Sequence, residues 1–247
     1  MDSAVAALPA AVAGEVGEGF FRERSSETLP CQATDALFCF DWARQNIAEY
    51  GTPTVEHVEL VVISVVAGFA IAFALSLLAH RHAWLRPPLL GATGVLYTIP
   101  SIAFFFLLLP ITGFGRASAV IALSAYTLQI IYRNTMAGLA NVPFPVRDAA
   151  RGMGLTERQI LWRVELPLAT PEIVAGLRIA TVSTVALATL AVFAGGGGLG
   201  DPIYEFITFK TNIIIAGGLA IVIAIAFDAI LLALQRRATP WRRVAAQ

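Results

Sequence analysis

Apolar residues run along this chain in long blocks separated by short charged stretches. A helix needs ~20 mostly apolar residues to cross a bilayer. Five blocks meet that need, at about 58–79, 88–109, 117–131, 173–194 and 212–234. The third extends through Arg133 toward Met136. Pro100 interrupts the second and predicts a kink there, because proline removes an internal hydrogen bond. Residues 1–50 sustain no such block and read as an amphipathic or irregular head, with a surface helix around 35–50.

One stretch departs from this pattern. RDAARGMGLTERQILWRVELP, residues 147–167, carries charges every three or four residues and cannot be a sixth span. Pro145 suits a first helical turn, and Asp148 near that end favours the helix dipole. Gly152 and Gly154 then break the helix. Thr156 predicts the cap of a second helix. Leu155, Ile160, Leu161, Val164 and Leu166 form its apolar face, while Arg158, Arg163 and Glu165 point elsewhere. Pro167 and Pro171 are expected to end it before the fourth span. An ordinary connector and a docking surface for a soluble partner both fit this composition.

Composition agrees with the blocks. Of 247 residues, 57% are hydrophobic and only 14% charged, and mean hydropathy is +0.72. Soluble domains rarely look like that. Formal net charge is zero, so a nucleic-acid partner is not suggested. Basic residues orient the spans, since short cytoplasmic loops collect Lys and Arg. Arg81, Arg86, Arg133, Arg147, Arg151, Arg158, Arg163, Arg178, Arg236, Arg237, Arg242 and Arg243 fall on one side. Arg22, Arg24, Arg44, Arg116 and Lys210 fall on the other. The first set is expected inside, which puts the N-terminus outside, the C-terminus inside and the 147–167 stretch in the cytoplasm. Cys31 and Cys39 then face the outer side, where they are either a disulfide or two unpaired thiols.

The stretch has a recognisable spacing. An acidic residue and two alanines (Asp148, Ala149, Ala150) are followed after three residues by Gly154. Nine residues later comes aliphatic-x-Leu-Pro, as Val164, Glu165, Leu166 and Pro167. This resembles the EAA loop of ATP-binding cassette importer permeases of the type I fold. Asp148 stands where Glu is usual, and Val164 where Ile is usual. TIPSIAFFFLLLP (98–110), YRNTMAGLANV (132–142) and AGGGGLGDPI (194–203) are similar to stretches of the osmoprotectant subfamily, which carries glycine betaine, choline, carnitine and related solutes. The similarity covers about 58–234. Methionine-importer permeases share the loop and the five-span architecture and are the nearest competitor.

The resemblance implies an all-α polytopic membrane protein with the five-span, MetI-like fold of type I importer permeases. It implies a permease domain at 57–235 with a coupling loop at 143–172; the apolar pattern leaves an extracytoplasmic head at 1–56, outside the resemblance, and a cytoplasmic basic tail at 236–247. Residues 145–153 would be the coupling helix, seated in a groove of a separate nucleotide-binding ATPase subunit. Asp148, Ala149, Ala150, Gly154, Val164, Leu166 and Pro167 would carry that contact. ATP and Mg belong to the ATPase, and this chain is expected to have no cofactor and no catalytic site. A second permease chain, identical or paralogous, and an extracytoplasmic substrate-binding protein complete the importer, in the bacterial inner membrane.

Other motifs are weaker. Gly195-x-Gly197-x-x-Gly200 meets a dinucleotide fingerprint literally, but it follows a span rather than a strand and lacks the downstream acid. A flexible turn into a short outer helix around 201–209 fits better. His80 and His82 lack a third ligand nearby, so no metal site is expected. Asp228 lies inside the fifth span and is expected to pair structurally, with Arg236 or with water. Tyr97, Phe104 and Tyr126 could hold a quaternary ammonium by cation–π attraction, or could simply pack. Ser101 and Gln129 are polar within spans and should face the bundle interior. A stand-alone secondary transporter or channel is the rival class. It predicts a charged residue near mid-membrane in an early span and inverted repeats, and it gives the 147–167 stretch no role.

Overall fold

The computed structural model describes residues 37–205 and 208–240. Every regular element among them is helical. In chain order these are α1 (Phe40–Asn46), α2 (Gly51–Arg81), α3 (Arg86–Thr98), α4 (Ser101–Thr112), α5 (Arg116–Ala140), α6 (Phe144–Gly152), α7 (Glu157–Ile160), α8 (Leu166–Ala188), α9 (Gly200–Glu205) and α10 (Lys210–Ala238). Short 3-10 turns at Ile47–Tyr50, Ala83–Leu85 and Thr189–Ala194 link or extend them.

Three helical stretches are long and apolar enough to cross a membrane: Phe40–Arg81, Glu157–Ala194 and Lys210–Ala238. A fourth is broken. Ala83–Thr98 and Ser101–Thr112 together have the length and composition of a span but are bent by 100°. Pro100 is the cause. The residue before a proline is pushed out of the helical region, and Ile99 is extended at φ −65, ψ 128. The Tyr126 hydroxyl donates to the Ile99 carbonyl freed by the break. The kink expected at Pro100 is therefore a full corner.

α5 has 25 residues, about 37 Å at 1.5 Å each, but it is less apolar than the other three stretches. Packing explains this. It lies between α2 and α8, touches more protein than its neighbours do, and buries Ser118, Ser124, Thr127 and Thr135. Helices in lipid gain little from hydrophobic burial against each other, so close backbone approach and interhelical hydrogen bonds must hold them. Gly68 on α2 supplies the approach. A methyl group there would lie 1.7 Å from Thr127 Oγ1 and 2.9 Å from the Ser124 carbonyl. Ser124 Oγ also donates to the Ser64 carbonyl at 3.1 Å. Fully buried His57 joins α2 to α8, with Nε2 3.1 Å from the Val185 carbonyl.

The end of the bundle away from the 147–167 stretch is tied by the head. Cys39 N–H donates to Thr211 Oγ1 at 2.8 Å, and Trp42 meets the Phe209 ring edge to face at 4.8 Å. Buried Tyr50 donates to Asn212 Oδ1. The first long helix thus starts at Gly51, earlier than hydropathy alone placed it. Cys31 lies outside the described residues, so its pairing with Cys39 stays a proposal.

Asp228 has a partner that the sequence did not suggest. Arg178 on α8 grips it with a fork, Nε to Oδ1 and Nη2 to Oδ2 both at 2.8 Å. Arg178 Nη1 also donates to Gln235 Oε1 at 3.4 Å, and Gln235 Nε2 donates to the Pro171 carbonyl at 2.9 Å. The expected partner, Arg236, is replaced because residues 178 and 228 face each other across two packed helices. Arg178 is accordingly a member of a span pair rather than a free orienting charge, and the basic side keeps its majority without it.

Gly68→Ala should destabilise the solubilised chain by about 1–3 kcal/mol, the usual cost of overpacking. Gly217→Ala, where a methyl group meets nothing within 4 Å, should be neutral or slightly stabilising. Thermal unfolding in detergent compares the two.

Candidate functional site: the loop between α5 and α8

α6 forms where Pro143 and Pro145 fix the entering backbone, with Pro145 in the first turn. Ala150 faces the body of the protein and is 2% exposed. The rest of the helix is open, from Phe144 at its start to Met153 just past its end. Phe144 and Met153 are 67% and 73% exposed, and Asp148, Ala149 and Arg151 are exposed beside them. The helix stops at a left-handed residue, Gly154 at φ +82, and Leu155 N–H returns to the Ala150 carbonyl at 3.2 Å.

Thr156 caps the next helix as expected. Gln159 N–H donates to Thr156 Oγ1 at 3.4 Å, and Thr156 N–H donates to Gln159 Oε1 at 2.8 Å. Arg151 closes over the turn onto Glu157, Nε to Oε1 at 2.8 Å. That hydrogen bond is the main reason Glu157 is held below the ordinary carboxylate range. Both groups are exposed, so the pair shapes the turn more than it stabilises the fold.

Pro167 and Pro171 do not end this helix, contrary to the sequence expectation. After α7 the chain makes a wide π turn, Leu161–Glu165, in which Leu166 N–H reaches the Leu161 carbonyl. It then continues unbroken as α8. Pro167 falls in the first turn of α8, just past that rearranged register, where its missing N–H costs little. Thr170 Oγ1 donates to the Leu166 carbonyl at 2.9 Å ahead of Pro171. The loop helix and the following span are therefore one continuous helical rod.

The π turn has a second consequence. It rotates Glu165 inward, and its side chain is only 7% exposed. Glu165 Oε2 lies 2.8 Å from His80 Nε2 at the end of α2. Glu165 Oε1 lies 2.8 Å from Arg147 Nε on α6. Arg147 also donates through Nη2 to the Leu139 carbonyl at the end of α5. One carboxylate thus joins the 147–167 stretch to the ends of two long helices. Sequence reasoning placed Glu165 on the outward face, because a regular 3.6-residue period puts it there. The missed signal was an acid set between aliphatic residues beside a proline.

The other motif residues divide. Asp148 and Ala149 are exposed, and Ala150 and Leu166 are buried. Gly154 forms the turn, while Val164 and Pro167 are half-buried. Among the aromatic candidates, Phe104 and Tyr126 are 6% and 5% exposed. They pack edge to face at 5.7 Å inside the corner at Pro100. Tyr97 is 47% exposed. With Gln129, Arg133 and Asn134 it lines a cavity of about 400 Å³. Ser101 starts α4 just past the corner and is half-buried.

The glycine loop has a structural use. Gly195, Gly197 and Gly198 have positive φ, and Gly198 N–H donates to Glu56 Oε2 at 3.2 Å. Burial, followed by the charges of Glu56 and Glu205, pushes the Asp201 carboxyl above its usual range. The short helix expected around 201–209 is α9, Gly200–Glu205. Among the described residues, no group of three or more His, Cys, Asp or Glu could hold a metal ion.

The family model described as binding-protein-dependent transport system inner membrane component matches residues 64–242. The chain belongs to this family of transport permeases. The osmoprotectant import permease protein OsmW of Salmonella typhimurium is 40% identical over 202 residues, 79% of this chain and 94% of that protein. The choline transport system permease protein OpuBB of Bacillus subtilis is 34% identical over 189 residues, 76% and 87% of the two chains. The fold is that of a chain in the structure titled "Inward facing conformations of the MetNI methionine ABC transporter". That match has a TM-score of 0.65 at 23% identity, over 74% of this chain and 95% of the other. A structure titled "Crystal structure of an amino acid ABC transporter with histidines" gives 0.64 at 17%, over 78% and 97%. Family and all-helical architecture agree with the reading from the loop spacing.

Glu165→Ala leaves His80 and Arg147 facing a vacated site. Removing one member of a buried charged cluster costs about 3 kcal/mol, and thermal unfolding of the solubilised chain should show a loss of that order. Glu165→Gln, which keeps two polar contacts, should lose less.

Proposed function

We propose that this chain is the membrane permease subunit of an ATP-driven importer for compatible solutes such as glycine betaine, choline or carnitine. The observation that carries the proposal is the loop between α5 and α8. It holds an exposed helix, α6, at the spacing of the EAA pattern and anchors that helix to the long helices through Glu165. A permease driven by a separate subunit needs such a part. The names of the relatives support the cargo class.

In this reading α6 sits in a groove of the ATPase subunit. Phe144 at the start of α6 and Met153 just past its end supply apolar contact, and Asp148 and Ala149 are exposed between them. ATP and Mg are held by that subunit, and the chemistry of hydrolysis happens there. Closure of two ATPase subunits rocks two permease chains, and a substrate-binding protein delivers solute from outside. Because α7, the π turn and α8 are continuous, displacement of the loop is passed directly into a span. The chain crosses the bacterial inner membrane five times, with α5 as the central span, its N-terminus outside and its C-terminus inside. Cys39 pairs with Cys31 on the outer side, closing the head over Thr211.

The test is uptake of labelled glycine betaine after hyperosmotic shock. The host lacks other betaine importers and expresses the whole transporter with or without this chain. Uptake that needs both ATP and this chain is expected. An assembled transporter that takes up methionine but none of the compatible solutes would reject the cargo class and keep the importer.

A further inference from the structure

We infer that the cavity around Arg133 reads a carboxylate on the cargo, so that this permease passes zwitterionic solutes in preference to cations without a carboxylate. The inference rests on the compatible-solute reading above and narrows it.

Arg133 lies on α5, seven residues before its end at Ala140, about 10 Å along the helix axis. It is exposed and opens onto the 400 Å³ cavity, with Tyr97, Gln129 and Asn134 around it. Small-molecule sites commonly span ~300–1,000 Å³. Gln129 and Arg133 are four apart on the helix and so share one face. Asn134 packs against the backbone of α8, its Cβ 2.4 Å from where a methyl group on Gly176 would stand. The neighbouring cavity, about 480 Å³, shares Ile179 with this one and contains Arg178 and Asp228.

Charge is what selects. An ionisable group at membrane depth is costly unless it pairs or lines a path. Arg147 and Arg178 have carboxylates at 2.8 Å. Among the described residues no carboxylate lies within ion-pair distance of Arg133, and the lining of its cavity contains no Asp or Glu. Arg178 and Asp228 cancel, so the two cavities together present one net positive charge. A guanidinium binds a carboxylate with two parallel hydrogen bonds. Gln129, whose Oε1 accepts from Thr93, keeps its Nε2 as a further donor, while Asn134 Nδ2 already donates to the Ile130 carbonyl at 2.8 Å. The exposed Tyr97 ring offers a face to a quaternary ammonium. A solute with both groups satisfies both ends of the cavity. A cation without a carboxylate meets only Tyr97 and the repulsion of Arg133.

The test compares ATP-driven uptake of glycine betaine and of choline in proteoliposomes holding the complete transporter, for the wild type, Arg133→Gln and Arg133→Lys. The binding protein is the same throughout, so any discrimination upstream cancels between variants. Arg133→Gln should lower the betaine-to-choline uptake ratio about tenfold or more, the range for a hydrogen bond to a charged group. Arg133→Lys should restore most of it. If no choline is taken up at all, the same outcome is read as betaine uptake lost in Arg133→Gln and recovered in Arg133→Lys. An unchanged ratio in Arg133→Gln overturns the inference, as does a parallel fall of both solutes or a wild type that carries choline but not betaine. A wild type that carries neither overturns the cargo reading itself.

Discussion

The Glu165 carboxylate is the interaction on which the rest of this structure depends. A buried charge is tolerated only where partners replace its water. Here His80 and Arg147 do so, each at 2.8 Å. Those partners sit on different elements, α2 and α6, and Arg147 reaches on to the end of α5. The cost of burying Glu165 is thus offset only when the loop helix is seated against the bundle. Its exposed residues, Phe144 and Asp148 among them, are presented as a consequence.

The membrane sets the second constraint. Apolar helices in lipid do not collapse together as they do in water. Close contact at Gly68 and buried hydroxyls along α5 take over that role. The Arg178–Asp228 fork holds α8 to α10 in the same way. Both ion-paired clusters sit on or beside α8, the helix that continues from the loop. α6 is therefore tied through Glu165 to a span that is bonded to its neighbours.

Much of this was legible in the sequence. Long apolar blocks announced the helices, Pro100 announced the break, and the spacing from Asp148 to Pro167 announced the loop and the family. What escaped depended on three-dimensional register. The π turn at Leu161–Glu165 cannot be seen in a 3.6-residue pattern, so Pro167 and Pro171 looked like stops and Glu165 looked exposed. Asp228 and Arg178 are fifty residues apart, and nothing local links them. Phe104 and Tyr126 share the composition of a cation-binding site with Tyr97, but only Tyr97 stays exposed. Arg133 was counted as an orienting charge, and only the cavity shows what it faces.

The most direct measurement is the number of solute molecules imported per ATP hydrolysed, in proteoliposomes of the assembled transporter, for wild type and Glu165→Ala. If Glu165 carries displacement from the loop to the spans, hydrolysis should persist in the variant while import per ATP falls. An unchanged ratio, with the variant folded and the ATPase bound, would contradict the account.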